Sequence, residues 1–264
     1  MLPFFEANLL GFELKISSYN LMIGIGIMVG LLVLQNTCNK LRIAKPQVDN
    51  LMVMLAVSLP VGFGSAILFN NAYHYNNAHG FLSNLTTFSG MTFEGGLVGG
   101  AITFILMFRS LNKQFKGMVP VLNCIAPSII ISHFWGRIGC FLAGCCFGKP
   151  TNSVLGVVFP DRSLPSQFYG EAVKIIPVQL IEALFLAVLF IIISTSLLKY
   201  SFSCYLIIYG IFRFFIEYLR GDDRGALFQT VLSPSQCISL LMMLIGVIIL
   251  LNEYKGVLLV KTSD

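Results

Sequence analysis

Charge is what this sequence has least of. Asp, Glu, Lys and Arg make up 11% of its 264 residues, against about 25% in an ordinary soluble domain. Histidine occurs three times and tryptophan once, so any chemistry draws on few side chains. The shortage excludes a water-solvated surface. With 56% hydrophobic residues and a mean hydropathy of +0.82, the chain reads as an integral membrane protein. Its net charge of +5 calls for no nucleic-acid partner, because the basic residues fall where membrane topology puts them. A basic leader is also missing: Met1–Ser17 carries Glu6 and Glu13 before the first apolar run, the wrong order for a cleavable signal. The first span is therefore expected to stay. There is no internal repeat and no low-complexity tract, so 1–264 is expected to form a single polytopic domain. Most of the seven cysteines stand inside apolar runs, where free cysteine packs as a small hydrophobe, and no secreted disulfide framework is expected.

The apolar runs predict an all-α fold of seven transmembrane helices, each near the length that about 30 Å of hydrocarbon requires. They are about Ser18–Gln35, Asn50–Phe69, Gly95–Phe108, Val119–Phe147, Pro177–Leu198, Tyr205–Leu219 and Gln236–Leu251. Pro60 predicts a kink in the second. The fourth is too long for one straight helix, and Pro120 and Pro127 predict a tilt or break. Lys40, Arg42, Lys45, Arg109, Lys113, Lys116, Lys199, Lys255 and Lys261 collect on one side, which the positive-inside rule makes cytoplasmic. That puts the N-terminus outside and the C-terminus in the cytoplasm, with two long outer loops at about 70–93 and 149–176. The first holds His74 and His79 and no charged residue; solvated loop positions are the simplest reading of both histidines.

One segment combines most of the unusual residues. His133–Gly148 brings together a histidine, Arg137, the tryptophan, four glycines and three of the seven cysteines. A guanidinium at bilayer depth costs at least about 2.5–3.5 kcal/mol, so a carboxylate or an anionic ligand must offset it. At helical spacing His133, Arg137 and Cys140 share a face. Tyr209, Arg213, Glu217 and Arg220 form a second stripe. Three guanidiniums then have Glu94, Glu182 and Glu217 as candidate partners. A closed ion-pair network would only fasten helices together. A phosphate-binding pocket would instead exploit the bidentate fork of arginine. Glu94 precedes Gly95 and Gly96 at the start of a span, where backbone N–H groups can receive an anion. Glu94 itself fits either a first-turn residue favouring the helix dipole or a general base. Cys140, Cys145 and Cys146 follow no structural zinc spacing. They are read as small buried packing residues, and neither metal nor cofactor is expected.

These motifs together resemble the bacterial prolipoprotein diacylglyceryl transferases. Gly136-Arg137-Ile138-Gly139-Cys140-Phe141 through Gly148 is similar to the family signature G-R-x-G-N-F-x-N-G-E-x-x-G, and Gly90-Met91-Thr92-Phe93-Glu94-Gly95-Gly96-Leu97 to G-M-S-F-H-G-G-L. Pro177, Gln179, Leu180 and Glu182 are similar to H-P-S-Q-L-Y-E. Tyr209-Gly210-Ile211-Phe212-Arg213 with Glu217 and Arg220 resembles Y-G-x-x-R and the E-x-x-R beyond it. Tyr19 stands where the family has a tyrosine in its first span. Departures fall around the base: Glu94 replaces the family histidine, Cys140 the signature asparagine, Cys145 the acidic residue, Phe63 a second-span arginine and Ile176 the histidine of H-P-S-Q.

The resemblance implies a multi-pass enzyme of the bacterial plasma membrane that takes a glyceryl-type group from phosphatidylglycerol or a similar anionic phospholipid. Arg137 and Arg213 would hold the phosphate, Glu94 would deprotonate the acceptor, and Tyr19 and Tyr209 would donate hydrogen bonds. Gly95, Gly96, His133, Cys140, Glu182, Glu217 and Arg220 would line the substrate. The default acceptor is the lipobox cysteine of a lipoprotein precursor, with a glycan or lipid hydroxyl as the other option. An anionic lipid or solute carrier, or a non-catalytic relative, would use the same arginines without bond chemistry.

Overall fold

The computed structural model describes residues 4–9, 12–73, 93–111, 117–161, 163–221 and 232–261. They divide into two compact units, one of Met1–Leu41 with Val119–Asp264 and one of Arg42–Met118.

The first unit opens with an antiparallel hairpin, β1 (Phe4–Leu9) and β2 (Phe12–Ser17), pairing Phe4 with Ser17 and Leu9 with Phe12. Nothing in the hydropathy signalled it. The chain then enters α1 (Ser18–Lys40), which lies along α4 (Val119–Ala143). Small residues allow this contact: a Cβ added at Gly30 would collide with the Ser132 hydroxyl. That hydroxyl donates to the Gly26 carbonyl at 2.8 Å.

α4 next packs on α6 (Val178–Ser196) and on α7 (Ser201–Ile216), and α7 lies against α8 (Pro234–Lys261). Ile130, Leu186, Leu189, Ile193, Tyr205, Leu206 and Tyr209 form the core between them. α6 shows the solvent logic of a bilayer. Glu182, Leu186, Leu189 and Ile193 turn inward, while Leu184, Val188 and Ile191 are exposed on the opposite face. A helix apolar all round belongs in hydrocarbon. Among the described residues, six helices are long and apolar enough to cross a membrane, and Gly95–Leu111 is a shorter apolar helix.

Two expectations are corrected in this unit. The fourth span does not run to Phe147: it stays helical through Pro127 and stops at Ala143. Gly144 takes φ +75°, its N–H donates to the Phe141 carbonyl at 3.2 Å, and the Cys145 N–H reaches the Cys140 carbonyl at 3.1 Å. This is the Schellman pattern, which ends a helix by reversing the chain over its last turn. Phe147 is apolar because it packs on Phe159 and Ile175 outside the helix. The second correction concerns 149–176, which is folded rather than an open loop. It contains β3 (Val157–Val158), α5 (Leu164–Tyr169) and β4 (Lys174–Ile175), with β3 and β4 paired antiparallel.

At the end of these helices remote from Gly144, Asn123 is the hub. Its amide donates to the Lys199 carbonyl at 2.7 Å and to Glu253 Oε1 at 2.8 Å, and its oxygen accepts the Phe202 N–H at 2.9 Å. Ser203 Oγ donates to Glu253 Oε2 at 3.0 Å. Because Asn123→Leu strands these buried groups, it should lower the unfolding free energy by about 1–3 kcal/mol. Thermal melting of the detergent-solubilised protein measures it.

The second unit pairs α2 (Lys45–Tyr73), continuous through Pro60, with α3 (Phe93–Leu111). Close approach explains its glycines. A Cβ at Gly95 would run into Phe69, one at Gly96 would crowd Ala66 and the Gly62 carbonyl, and one at Gly99 would collide with Ser65.

Candidate functional site

Both predicted stripes come together in the first unit. Glu182, fully buried on α6, is the centre. Its Oε1 accepts from Arg137 Nη2 at 3.0 Å and from the Tyr209 hydroxyl at 2.7 Å. Arg137 comes from α4 and Tyr209 from α7, so one carboxylate oxygen joins three helices. Arg137 Nε also donates to His133 Nε2 at 3.3 Å. That bond makes Nε2 the acceptor of a neutral imidazole. The 3.6 Å between His133 Nε2 and Glu182 Oε1 is therefore proximity, not an ion pair. The His133 ring stands edge-on to Tyr209 at 5.1 Å, and Tyr205 stacks on Tyr209 at 5.5 Å. Glu182 Oε2 has no hydrogen bond among the described residues.

One turn further along α7, Arg213 Nη1 meets Glu217 Oε2 at 2.7 Å, the i,i+4 pair read from the spacing. Arg213 Nη2 donates to Ser235 Oγ at 2.9 Å, and Ser233 Oγ donates to Glu217 Oε1 at 2.9 Å. Arg220 Nε lies 3.8 Å from Glu217 Oε2. Arg213 is also within electrostatic reach of Glu182. The two ion pairs thus adjoin one another. Among the described residues, Arg137 pairs with Glu182, and Arg213 and Arg220 both stand beside Glu217.

Two residues of this site were not anticipated. Ser233 and Ser235 start α8, where the Ser233 N–H donates to Gln236 Oε1 at 3.0 Å and the Gln236 N–H to Ser233 Oγ at 3.2 Å. This is a capping box with proline at the first helical position. The Ser233-Pro234-Ser235-Gln236 string carried that signal.

Tyr19 sits where α1 crosses α4, against Gly139, within electrostatic reach of Arg137 and of the three cysteines. Cys140 is the last buried residue of α4, and the turn after it returns Cys145 and Cys146 over it. All three sulfurs lie within 4.8 Å of one another. Packing alone was the expectation for them; a thiol cluster is what the chain builds. The Cys146 thiol is held below its ordinary value, first by hydrogen bonds with Cys140 and Cys145 and, against burial, by Arg220 and Arg137. The turn is clamped from several sides. Gln179 Nε2 donates to the Cys145 carbonyl at 2.6 Å, the Gly148 N–H to the Ile176 carbonyl at 3.1 Å, and the Lys149 N–H to the Leu219 carbonyl at 2.9 Å.

Of the remaining predicted residues, Gly95 and Gly96 turn their Cα faces to α2 in the second unit. Glu94 lies in the first turn of α3 in that unit, and its side chain lies outside the described residues, as do His74, His79, Lys113, Lys116 and Arg162.

Comparison with known proteins converges on the same chemistry. Residues 7–252 match the family description "prolipoprotein diacylglyceryl transferase". Over 247 residues the chain is 32% identical to a phosphatidylglycerol–prolipoprotein diacylglyceryl transferase of Clostridium tetani, covering 90% of this chain and 93% of the relative. A second such enzyme, from Clostridium perfringens, is 30% identical over 93% of this chain and 94% of its own length. One from Rickettsia africae is 30% identical over 88% and 90%. On the family match over 7–252 and on relatives at 30% identity or more over most of both chains, the chain belongs to the prolipoprotein diacylglyceryl transferase family.

Proposed function

We propose that the protein moves the diacylglyceryl group of phosphatidylglycerol to the lipobox cysteine of a prolipoprotein. The observation that carries the reading is the convergence of Arg137 and Arg213, from two different helices, on the adjoining carboxylates Glu182 and Glu217, with Arg220 beside Glu217. The cysteine sulfur attacks the glyceryl carbon that carries the phosphate ester. The C–O bond breaks, a thioether forms, and glycerol phosphate leaves with the bonding electron pair and one more negative charge than it had as a diester. Arg137 and Arg213 stabilise that developing charge, competing for it with Glu182 and Glu217. Arg220, beyond the end of α7 where the chain turns extended against Gly148, draws the head group in. The head-group hydroxyls need acceptors, and the buried Oε2 of Glu182 is one. Tyr19, His133, Cys140 and Tyr209 shape the approach, and Gly95 and Gly96 open the helix that carries Glu94.

Glu94 takes the thiol proton in this reading. Glu94→Gln should lower transfer by about 10²–10⁴ while leaving phosphatidylglycerol binding largely intact. A fully active variant removes Glu94 from the mechanism. The relatives' names supply a prolipoprotein acceptor and give no support to a glycan or lipid hydroxyl.

The chain is then one polytopic domain of the bacterial plasma membrane, with the N-terminus outside and the C-terminus cytoplasmic. The 19 residues of α3 span about 28 Å at 1.5 Å each, enough to serve as the seventh crossing. Labelled phosphatidylglycerol with a lipobox peptide tests the whole reading. The expected products are a thioether-linked diacylglyceryl peptide and free glycerol phosphate. Redistribution of intact lipid between leaflets with no release of glycerol phosphate would instead identify a carrier.

A further inference from the structure

We propose that Cys140, Cys145 and Cys146 form a three-sulfur binding site for a soft metal ion, with Cu(I) the ion that best suits the donor set. The assignment does not rest on the transferase reading. Part of the cluster has an ordinary explanation. In a Schellman ending the third residue from the helix end and the second beyond it customarily touch, and here those positions are Cys140 and Cys145. Cys146 has no such explanation. It holds φ +59°, a left-handed conformation that costs a residue with a Cβ roughly 1–2 kcal/mol relative to the right-handed one. Glycine would take this conformation without strain. Instead a cysteine occupies it, with its sulfur beside the other two.

The distances suit a metal. Sulfurs about 2.3 Å from a common ion in a plane lie about 4 Å apart, so closure from within 4.8 Å needs only small side-chain rotations. The donor chemistry narrows the choice. The group consists of three thiols, with no histidine or carboxylate joining them among the described residues. All-sulfur sets select soft ions such as Cu(I). Structural zinc takes four ligands and catalytic zinc fills its fourth position with water, so this set suits zinc less well. Charge agrees as well. Three thiolates with one Cu(I) carry an excess of two negative charges, and the Arg137 and Arg220 guanidiniums stand close enough to act on Cys146. The Gln179 bond to the Cys145 carbonyl fixes the turn that carries two of the three sulfurs.

The test titrates Cu(I), kept reduced by ascorbate, into the full-length detergent-solubilised protein against a chromogenic Cu(I) chelator. A companion chain carries Cys38→Ala, Cys124→Ala, Cys204→Ala and Cys237→Ala. Both should bind one Cu(I) per chain, and Cys145→Ser or Cys146→Ser should weaken it by at least about tenfold. Cys146→Gly guards against misfolding as the cause, because it removes the third sulfur and also relieves the backbone. It should melt no lower than the parent and still lose the ion. The proposal is overturned if the companion chain binds no Cu(I), if Cys146→Gly binds as the parent does, or if Zn(II) binds as tightly as Cu(I).

Discussion

Glu182→Leu should cost about 3–5 kcal/mol of stability, the range found when one partner of a buried ion pair is removed. Glu182 is fully buried and receives Arg137 at 3.0 Å and Tyr209 at 2.7 Å on the same oxygen. Removing it leaves a largely buried guanidinium without its counter-charge and strips the Tyr209 hydroxyl of its acceptor. The double variant Arg137→Met/Glu182→Leu should recover most of the loss, since apolar side chains of similar volume commonly replace a buried pair at little cost. That recovered protein should nonetheless be inert in transfer. Denaturation and turnover measured on the same three preparations separate the two roles. If the pair only fastened α4 to α6 and α7, the double variant would regain activity along with stability.

Arg213→Gln should reduce the turnover number by about 10²–10³, the scale on which losing one donor to a developing oxyanion is felt. Its effect on the half-saturating phosphatidylglycerol concentration should be much smaller, because Arg220 still supplies the attraction of the unreacted head group. Stability should fall less than in Glu182→Leu, because Arg220 remains 3.8 Å from Glu217 and Ser233 still donates to that carboxylate. An equal loss in Arg213→Gln and Arg220→Gln, confined to half-saturation, would reassign Arg213 to binding alone.

The contacts within a helix were legible before any coordinates. The α7 pair of Tyr209 and Arg213, with Glu217 one turn on, follows from 3.6 residues per turn, and so does the contact between Arg137 and His133. Arg220, expected on the same stripe, leaves it because α7 ends at Ile216, a 3-10 turn covers Glu217–Leu219, and Arg220 is extended and bridges to Gly148. Contacts between helices were legible only as a list of possible partners. Three acids stood available for three arginines, and the sequence held nothing to match Glu182 with Arg137 rather than with Arg213. That choice is made by how α6 packs against α4 and α7, through core residues such as Leu186 and Tyr205 that look alike in a hydropathy profile. The end of α4 was misread for a related reason. Hydropathy continues to Phe147, and only the glycine at 144 with the turn bonds around it marks the reversal. The thiol cluster was missed with it, since a straight helix through 147 spreads Cys140, Cys145 and Cys146 over different faces. Folding within 149–176 had a weak signal in Ser163, which caps α5 by accepting from the Ser166 N–H at 3.4 Å.

The most direct measurement is the dipolar coupling between the phosphorus of bound phosphatidylglycerol and ¹⁵N-labelled arginine guanidinium groups, in bilayers otherwise made of zwitterionic lipid. The account predicts a phosphorus about 4 Å from guanidinium nitrogen, the distance of a charge-assisted phosphate contact, with the coupling reduced in Arg213→Gln and again in Arg137→Met/Glu182→Leu. A bound phosphorus that couples to no arginine nitrogen, or couples identically in all three proteins, would contradict it.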